Sequence, residues 1–288
     1  MRKIKYINSL GEELLFSNSA PFILQKFEES QGINNYSFKG VGQDGNTYLG
    51  STLDEKDINL TIALLGKTTE QYSSYREKLY RVFNPKLGEG CLVYDDGIKE
   101  LKIKCIPEKV PFMKNITQSK GTGLINLTAN EPLWMDLLEK RDEIALWAAD
   151  FEFELEIPED IGIDIGHREP SLIVNCLNDG DVETGIRIEF KALATLVNPS
   201  LFNVNTREFI RIKKTMAAGE VISVSTYFGD KRIISRLNGV ETNAFYSIDE
   251  DSTFLQLSQG DNLFRYDAES GLDNLEVTVY HYDRYLGV

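Results

Sequence analysis

In Asp57-Ile58-Asn59-Leu60-Thr61-Ile62-Ala63-Leu64 the apolar residues Ile58, Leu60, Ile62 and Leu64 fall at every second position. Successive side chains of a strand point to opposite faces, so this spacing predicts a strand that buries one side. The period then changes. Thr68 can cap a helix with Gln71 closing a capping box, and Tyr72, Tyr75, Leu79 and Val82 recur at three- and four-residue spacing. Asn84-Pro85 ends that helix, because the residue before proline is disfavoured in helical geometry.

Outward from this strand and helix, most of the chain alternates with period two and is rich in Val, Ile, Thr, Phe and Tyr. Ile4 to Asn8, Leu14 to Ser17 across the Leu10-Gly11-Glu12 turn, and Phe22 to Glu28 read as short strands. Gly42-Gln43-Asp44-Gly45-Asn46 separates two more. Beyond the helix, Leu92 to Asp95 and Ile98 to Ile106 flank Asp96-Gly97, a pair that favours a tight hairpin. Strands around Lys109 to Gln118 and Leu124 to Asn130 lead to Glu131-Pro132-Leu133-Trp134. Composition shifts over Arg141 to Ala149, which places a boundary near residue 140 and predicts two domains, 1–140 and 141–288.

The second half repeats the β pattern without a comparable helix. Predicted strands are Asp150 to Glu156, Leu172 to Asn175, Gly185 to Lys191, Glu208 to Lys213, Glu220 to Thr226, Lys231 to Leu237, Phe254 to Leu257 and Leu275 to Tyr282. Asn178-Asp179-Gly180-Asp181, Phe228-Gly229-Asp230 and Gly260-Asp261-Asn262 read as turns between them. The expected fold class is therefore mainly β: an N-terminal β domain with one α-helix, followed by a jelly-roll β-sandwich.

Over its 288 residues the chain has a net charge of −14. Residues 1–140 carry 18 Lys and Arg against 18 Asp and Glu, and the remainder 13 against 27, so the whole excess lies in the second half. Acidic surfaces are repelled by phosphate backbones and anionic lipid, which argues against a nucleic-acid grip or a peripheral membrane role. The longest apolar run, Ile144 to Ala149, is too short to span a bilayer, and Met1-Arg2-Lys3-Ile4-Lys5 opens no signal-peptide pattern. Neither secretion nor membrane insertion is expected. Cys91, Cys105 and Cys176 form no close pair and are expected as free thiols in a reducing cytoplasm. A hairpin at Asp95-Asp96-Gly97 would set Cys91 opposite a residue near position 102, leaving Cys105 out of register for a disulfide.

Residues able to carry chemistry are few. There are two histidines, His167 and His281, and no phosphate-cradling loop, nucleophile elbow or HExxH pattern. Asp160, Asp164, His167 and Glu169 crowd one segment, but their spacing fits no defined cation loop. His281, in a terminal strand, is expected to satisfy itself against a neighbouring carbonyl or hydroxyl. Paired carboxylates for glycoside hydrolysis are defined by separation in space, which composition cannot supply. Tyr227, Phe228, Tyr246, Phe264 and Tyr266 could stack on sugar rings as a carbohydrate platform, the alternative reading, or could form core and interface. No catalytic, cofactor-binding or metal-ligating residue is assigned, and no enzymatic activity is expected.

The order of short motifs carries more than any one of them. Asn178-Asp179-Gly180-Asp181-Val182-Glu183-Thr184 opens the second half, Asn198-Pro199-Ser200-Leu201-Phe202-Asn203 and Ala218-Gly219-Glu220-Val221 follow, and Gln259-Gly260-Asp261-Asn262-Leu263-Phe264 precedes a final Tyr285-Leu286-Gly287-Val288. With the capped helix and the Glu131-Pro132-Leu133-Trp134 junction, the sequence resembles the distal tail (Dit) proteins of long-tailed phages and prophages infecting Gram-positive bacteria. The resemblance implies a virion component of the tail tip or baseplate, made in the host cytoplasm. In that family the first domain closes a hexameric ring that continues the tail tube and docks on a tail-associated lysin or tip protein. The galectin-like second domain holds receptor-binding or side-fibre proteins for host attachment. DNA would only pass through the ring lumen. The resemblance brings no catalytic residues with it; from position, Phe38, Tyr48, Leu49 and Tyr80 are expected to contribute to contacts between copies.

Overall fold

The computed structural model describes residues 2–144, 147–148, 167–168 and 173–288. The alternation from Ile58 to Leu64 is the buried half of a strand that runs much further than the pattern alone shows. The N-terminal elements are β1 (Lys3–Ile7), β2 (Glu13–Phe16), β3 (Phe22–Phe38), β4 (Thr47–Leu65), α1 (Thr69–Val82), β5 (Gly90–Asp95), β6 (Glu100–Pro107), β7 (Phe112–Thr117), β8 (Lys120–Ala129) and β9 (Trp134–Asp136). The sheet order is β2-β1-β5-β6-β8-β4-β3, with β7 on β8 and β9 on β6. Ile58, Leu60, Ile62 and Leu64 are fully buried and share one core with Ile125 and Leu127 of β8, Ile103 of β6 and Leu79 of α1. Phe83, just past α1, stacks on Tyr6 at 4.3 Å between ring centroids.

The helix starts where its capping chemistry places it. The Thr68 hydroxyl accepts a hydrogen bond from the Gln71 backbone N–H at 3.3 Å. The return bond differs from the expected box: Gln71 Oε1 accepts from the Lys67 N–H, one residue before the cap. Asn84 then caps a single 3-10 turn over Pro85–Leu87. Tyr72, on the buried face, donates to Asn115 Oδ1 at 2.6 Å and ties α1 to β7.

Two readings of this half need correction. Phe22 to Glu28 is not a short strand, because β3 and β4 each continue for about ten residues past the core. Beta bulges at Leu24/Lys26, Gln31/Ile33 and Tyr36/Ser37 break the alternation that would have revealed the length. The β5–β6 hairpin is also wider than Asp96-Gly97 suggested. Asp95 pairs with Glu100 and Cys91 with Lys104, so the turn spans four residues and the register moves by two. Cys105 pairs with Gly90 and points into the core, and all three cysteines are free.

The chain divides into two compact units: Met1–Leu137 with Tyr285–Val288, and Leu138–Arg284. A single cut at residue 140 would put Tyr285–Val288 in the second half. Their contacts group them with the first, where Tyr285 joins the core.

In the second unit the strands are β10 (Lys140–Glu143), β11 (Trp147–Ala148), β12 (His167–Arg168), β13 (Ile173–Asn178), β14 (Thr184–Ala192), β15 (Leu196–Asn203), β16 (Phe209–Arg211), β17 (Thr215–Met216), β18 (Val221–Ser225), β19 (Arg232–Leu237), β20 (Val240–Asn243), β21 (Gln256–Leu257), β22 (Gly260–Ser270) and β23 (Leu275–His281). β24 (Arg284–Tyr285) leads back to the first unit and pairs with β9. One sheet runs β10-β23-β14-β18-β19-β20 with β21 on β14, the other β13-β22-β15-β16 with β17 on β15. Ile188, Phe190 and Val277 from the first sheet and Leu201, Phe264 and Tyr266 from the second share one core. The unit is a two-sheet β-sandwich. The predicted strand at Asp150 to Glu156 lies outside the described residues.

Among the strands that went unread, β15, β22 and β20 have a local explanation. Asn198-Pro199 looks like a turn, but β15 runs through it: Asn198 sits at φ 53°, its N–H donates to the Lys214 carbonyl, and the register on β22 is the same before it, Val197↔Ser270, as after it, Pro199↔Ala268. Gly260-Asp261-Asn262 opens β22 instead of ending a strand; the Asn262 side chain accepts from Ser258 N–H and donates to the Ser258 carbonyl, which completes the turn before it. Asn238-Gly239, with φ 51° and 79°, is the two-residue connection that both-positive turns demand, and it carries β19 into β20.

One buried acid ties sandwich elements together. Glu220 accepts from Lys214 Nζ, from Ser235 Oγ at 2.5 Å and from the Ala217 N–H at 3.1 Å. Burial raises its pKa, but these hydrogen bonds outweigh burial and hold it below the ordinary 4.5. A depressed acid stabilises the fold fully above its unfolded value, and that contribution is lost as pH falls through the folded one. Sandwich stability is therefore expected to decline below about pH 4.5 in the native protein, and this part of the decline should be absent in Glu220→Gln. Urea midpoints measured from pH 6 to pH 3 check it; parallel declines would show that Glu220 is not the group responsible.

Candidate interaction surfaces

Lys56 marks a change in the sheet. From Lys56 to Leu65, β4 lies between β3 and β8, but residues 47–55 pair with β3 alone. The outer parts of β3 and β4 thus leave the rest of the sheet as a two-stranded arm whose two edges are unpaired among the described residues. Across the arm Ile33 faces Leu53, Asn34 faces Thr52 and Phe38 faces Thr47. Leu49 falls in the bulge between the Tyr36↔Gly50 and Ser37↔Tyr48 pairs.

Ile33, Tyr36, Phe38, Tyr48 and Leu49 are each more than half exposed on the arm, and Val41 at its tip is fully exposed. Local hydrogen bonds stiffen it without covering these residues: Tyr36 Oη lies 3.2 Å from Thr52 Oγ1, and Tyr48 Oη donates to Ser51 Oγ at 2.8 Å. An isolated two-stranded hairpin is marginal in water, and open strand edges pair readily with other chains. Of the four residues expected at contacts between copies, the arm carries Phe38, Tyr48 and Leu49 together. Tyr80 stands apart from them, half-buried on α1.

The root of the arm is built differently. The Lys56 side chain is 2% exposed, with Nζ 2.6 Å from the Leu286 carbonyl and 3.4 Å from Glu29 Oε2. Burial pushes the Lys56 ammonium pKa down, while Glu29 opposes that shift. The same carboxylate accepts from Trp134 Nε1 at 2.8 Å and from the Val288 N–H at 3.2 Å. Trp134 is fully buried against Phe27 and Tyr94, and Arg2 lies over both of those rings. Sequence alternation missed this cluster, since its members are far apart in the chain.

Of the residues singled out for chemistry, His281 lies among the described ones. His281 is buried, with Nε2 3.2 Å from the Leu177 carbonyl. Asp142 and Asp283 approach its two ring nitrogens at 3.5 and 3.4 Å. No group of three His, Cys, Asp or Glu side chains among the described residues is placed to hold a metal ion. Asp160, Asp164 and Glu169, and the side chain of His167, lie outside the described residues. The five-residue aromatic platform does not form: Phe264 and Tyr266 are core residues, whereas Phe228 and Tyr246 are exposed. The alternation of β22 turns Phe264 and Tyr266 to its inner face, away from any ligand on the outer surface.

Cys105 and Cys176 are buried thiols whose pKa values burial drives far upward. Cys91 is partly exposed and is raised less. In native protein Cys91 is expected to react first with a thiol-alkylating reagent, the other two only on unfolding. Mass spectrometry of a time course checks the order, and early labelling of Cys176 would contradict it.

No helix among the described residues is long and apolar enough to cross a membrane. Residues 9–129 match the phage tail protein RIFT-related domain family, and residues 179–285 match the siphovirus-type tail component, C-terminal domain family. No curated protein matches the sequence. Among solved structures, the fold is similar to the SPP1 Dit protein at 12% identity, with a TM-score of 0.70 over 98% of this chain and 99% of that one. It is also similar to chains of the phage P2 baseplate in its activated conformation with calcium and with strontium. Those two share 10% and 9% identity and have TM-scores of 0.56 and 0.57, each over the whole of both chains. A RIFT-related domain followed by this C-terminal sandwich defines a structural component of long-tailed phage tails. The chain belongs to the distal tail protein (Dit) family of siphophages.

Proposed function

We propose that the protein is the hub of the tail tip: six copies close a ring that joins the tail tube to the tip or lysin protein, and the sandwich anchors the receptor-binding or side-fibre protein. The arm is the observation that carries this reading. Its two free edges differ, one from β3 and one from β4, so the edge of one copy can pair with the opposite edge of the next. Such a contact is head-to-tail, and head-to-tail contacts close into a ring when the rotation from copy to copy closes. Phe38, Tyr48 and Leu49 on the arm, with Tyr80 on α1, are assigned to the contact between copies.

Further support comes from the SPP1 protein, described as a paradigm of the hub adsorption apparatus in phages infecting Gram-positive bacteria. Near-neutral charge over residues 1–140 removes the self-repulsion that identical acidic surfaces would meet on closing a ring. The acidic excess of the sandwich offers a field to a complementary partner. Virion assembly in the host cytoplasm fits the free thiols. Light scattering on the purified chain, followed by electron microscopy, tests the reading. A six-fold ring is expected; a monomer at every concentration, with and without the tip protein, would overturn it.

A further inference from the structure

Burying an ammonium at the root of an arm is physically expensive, which raises the question of what Lys56 does there. The effective penalty for removing such an ion from water is several kcal/mol, and an apolar residue of similar volume is often as stable or more so. Lys56 is held by three features converging from distant parts of the chain: Glu29 on β3, Trp134 through Glu29, and residues 286–288. The position is specific. Lys56 is the last β4 residue paired with β8, opposite Ala129, and its β3 partner Gln31 immediately precedes the bulge that starts the free arm. Bulges bend strands, so this is where the direction of the arm is set.

Residues 286–288 lie across that point. The Leu286 carbonyl receives the Lys56 ammonium, and the Val288 N–H binds the second oxygen of Glu29. Gly287 fits between them closely: a Cβ there would sit 3.0 Å from Glu29 Oε1. With the segment detached, Lys56 would keep one partner at 3.4 Å and Glu29 would lose a backbone donor. Water would then reach Lys56 as well as Glu29, whose side chain is already 23% exposed.

We infer that residues 286–288 act as a strap: by closing over the Lys56–Glu29 pair they fix the root of the arm and hold its two free edges ready for a second copy. The segment reaches this position only after the chain has completed the sandwich, since Leu138–Arg284 forms the second unit and Tyr285 re-enters the first. A chain that stops before residue 286 therefore lacks the strap. The inference rests on the reading of the arm as the assembly element.

Hydrogen exchange and assembly mass on the full-length chain separate the two. Three variants are compared with wild type: Lys56→Met, Glu29→Gln and truncation after Tyr285. In each, the amides of residues 31–38 and 47–53 are expected to exchange at least about tenfold faster, while those of β5, β6 and the sandwich stay unchanged. In Lys56→Met and Glu29→Gln the Val288 amide should also lose protection. Assembly should need at least about tenfold more protein in all three. Lys56→Met keeps the volume and removes the charge, so unchanged global unfolding in it shows that the fold persists. Unchanged arm exchange after truncation would overturn the strap, as would a protected Val288 amide in Lys56→Met. If wild type fails to assemble but its arm still loosens on truncation, the ring reading fails and the strap stands.

Discussion

Replacing Phe38, Tyr48 and Leu49 together by lysine is expected to leave a folded monomer that assembles at least about a thousandfold less readily. All three side chains are more than half exposed in the isolated chain, so their loss removes little from the monomer's own core. Surface substitutions of this kind stay within about 0.5 kcal/mol each. In the proposed ring the same side chains would be buried at every contact, where each apolar group would contribute about 1.5–3 kcal/mol. Three of them sum to more than about 4 kcal/mol per interface, and the lysines add repulsion between facing arms. Sedimentation velocity over a concentration series reads the assembly, and circular dichroism reads the fold. Wild-type assembly in the triple variant would remove the arm from the interface.

Trp134→Ala is expected to have the largest effect within the first unit, about 3–5 kcal/mol of lost stability. Its indole is fully buried, with ring centroids 6.4 Å from Phe27 and 6.1 Å from Tyr94. Truncation opens a cavity among these rings and removes the N–H that Glu29 accepts. Trp134→Phe separates the two contributions. It keeps most of the volume but leaves Glu29 short of a donor, and should cost about 1–3 kcal/mol. Denaturant unfolding followed by probes in each unit measures both, and the sandwich transition should not move. A loss below about 1 kcal/mol for Trp134→Ala would show that the aromatic cluster closes over the gap.

The two halves of the molecule differed in how openly their folds were written. α1 was readable because a cap, an apolar stripe and a stop signal are local, and Thr68, Leu79 and Asn84 each act within a few residues of their own position. The inner part of β4 was readable because burial on one face enforces strict alternation. The arm was not, since with solvent on both faces alternation has no physical cause and two bulges, at Gln31/Ile33 and Tyr36/Ser37, shift its phase. In the sandwich, β15 and β22 hid behind Asn198-Pro199 and Gly260-Asp261, which look like turns but become a strand interior and a strand start once neighbouring strands supply hydrogen bonds. Three of the four candidate contact residues, Phe38, Tyr48 and Leu49, share the arm, and Tyr80 lies on α1. The Lys56 cluster had no comparable signal.

The amino-acid sequence alone determined a mainly β chain with one capped helix, a neutral first half and an acidic second, and the ordered motifs of a tail component. Those properties depend on composition and on neighbours a few residues apart. Tertiary structure decided that two strands outrun the rest of their sheet, that Tyr285–Val288 return to the first unit, and that Lys56 is buried beneath them. Each of these depends on which residues meet across long stretches of chain: Lys56 and Leu286 are 230 residues apart in sequence and 2.6 Å apart in space. A buried charge is tolerated only where such partners converge, and convergence is a property of the folded chain.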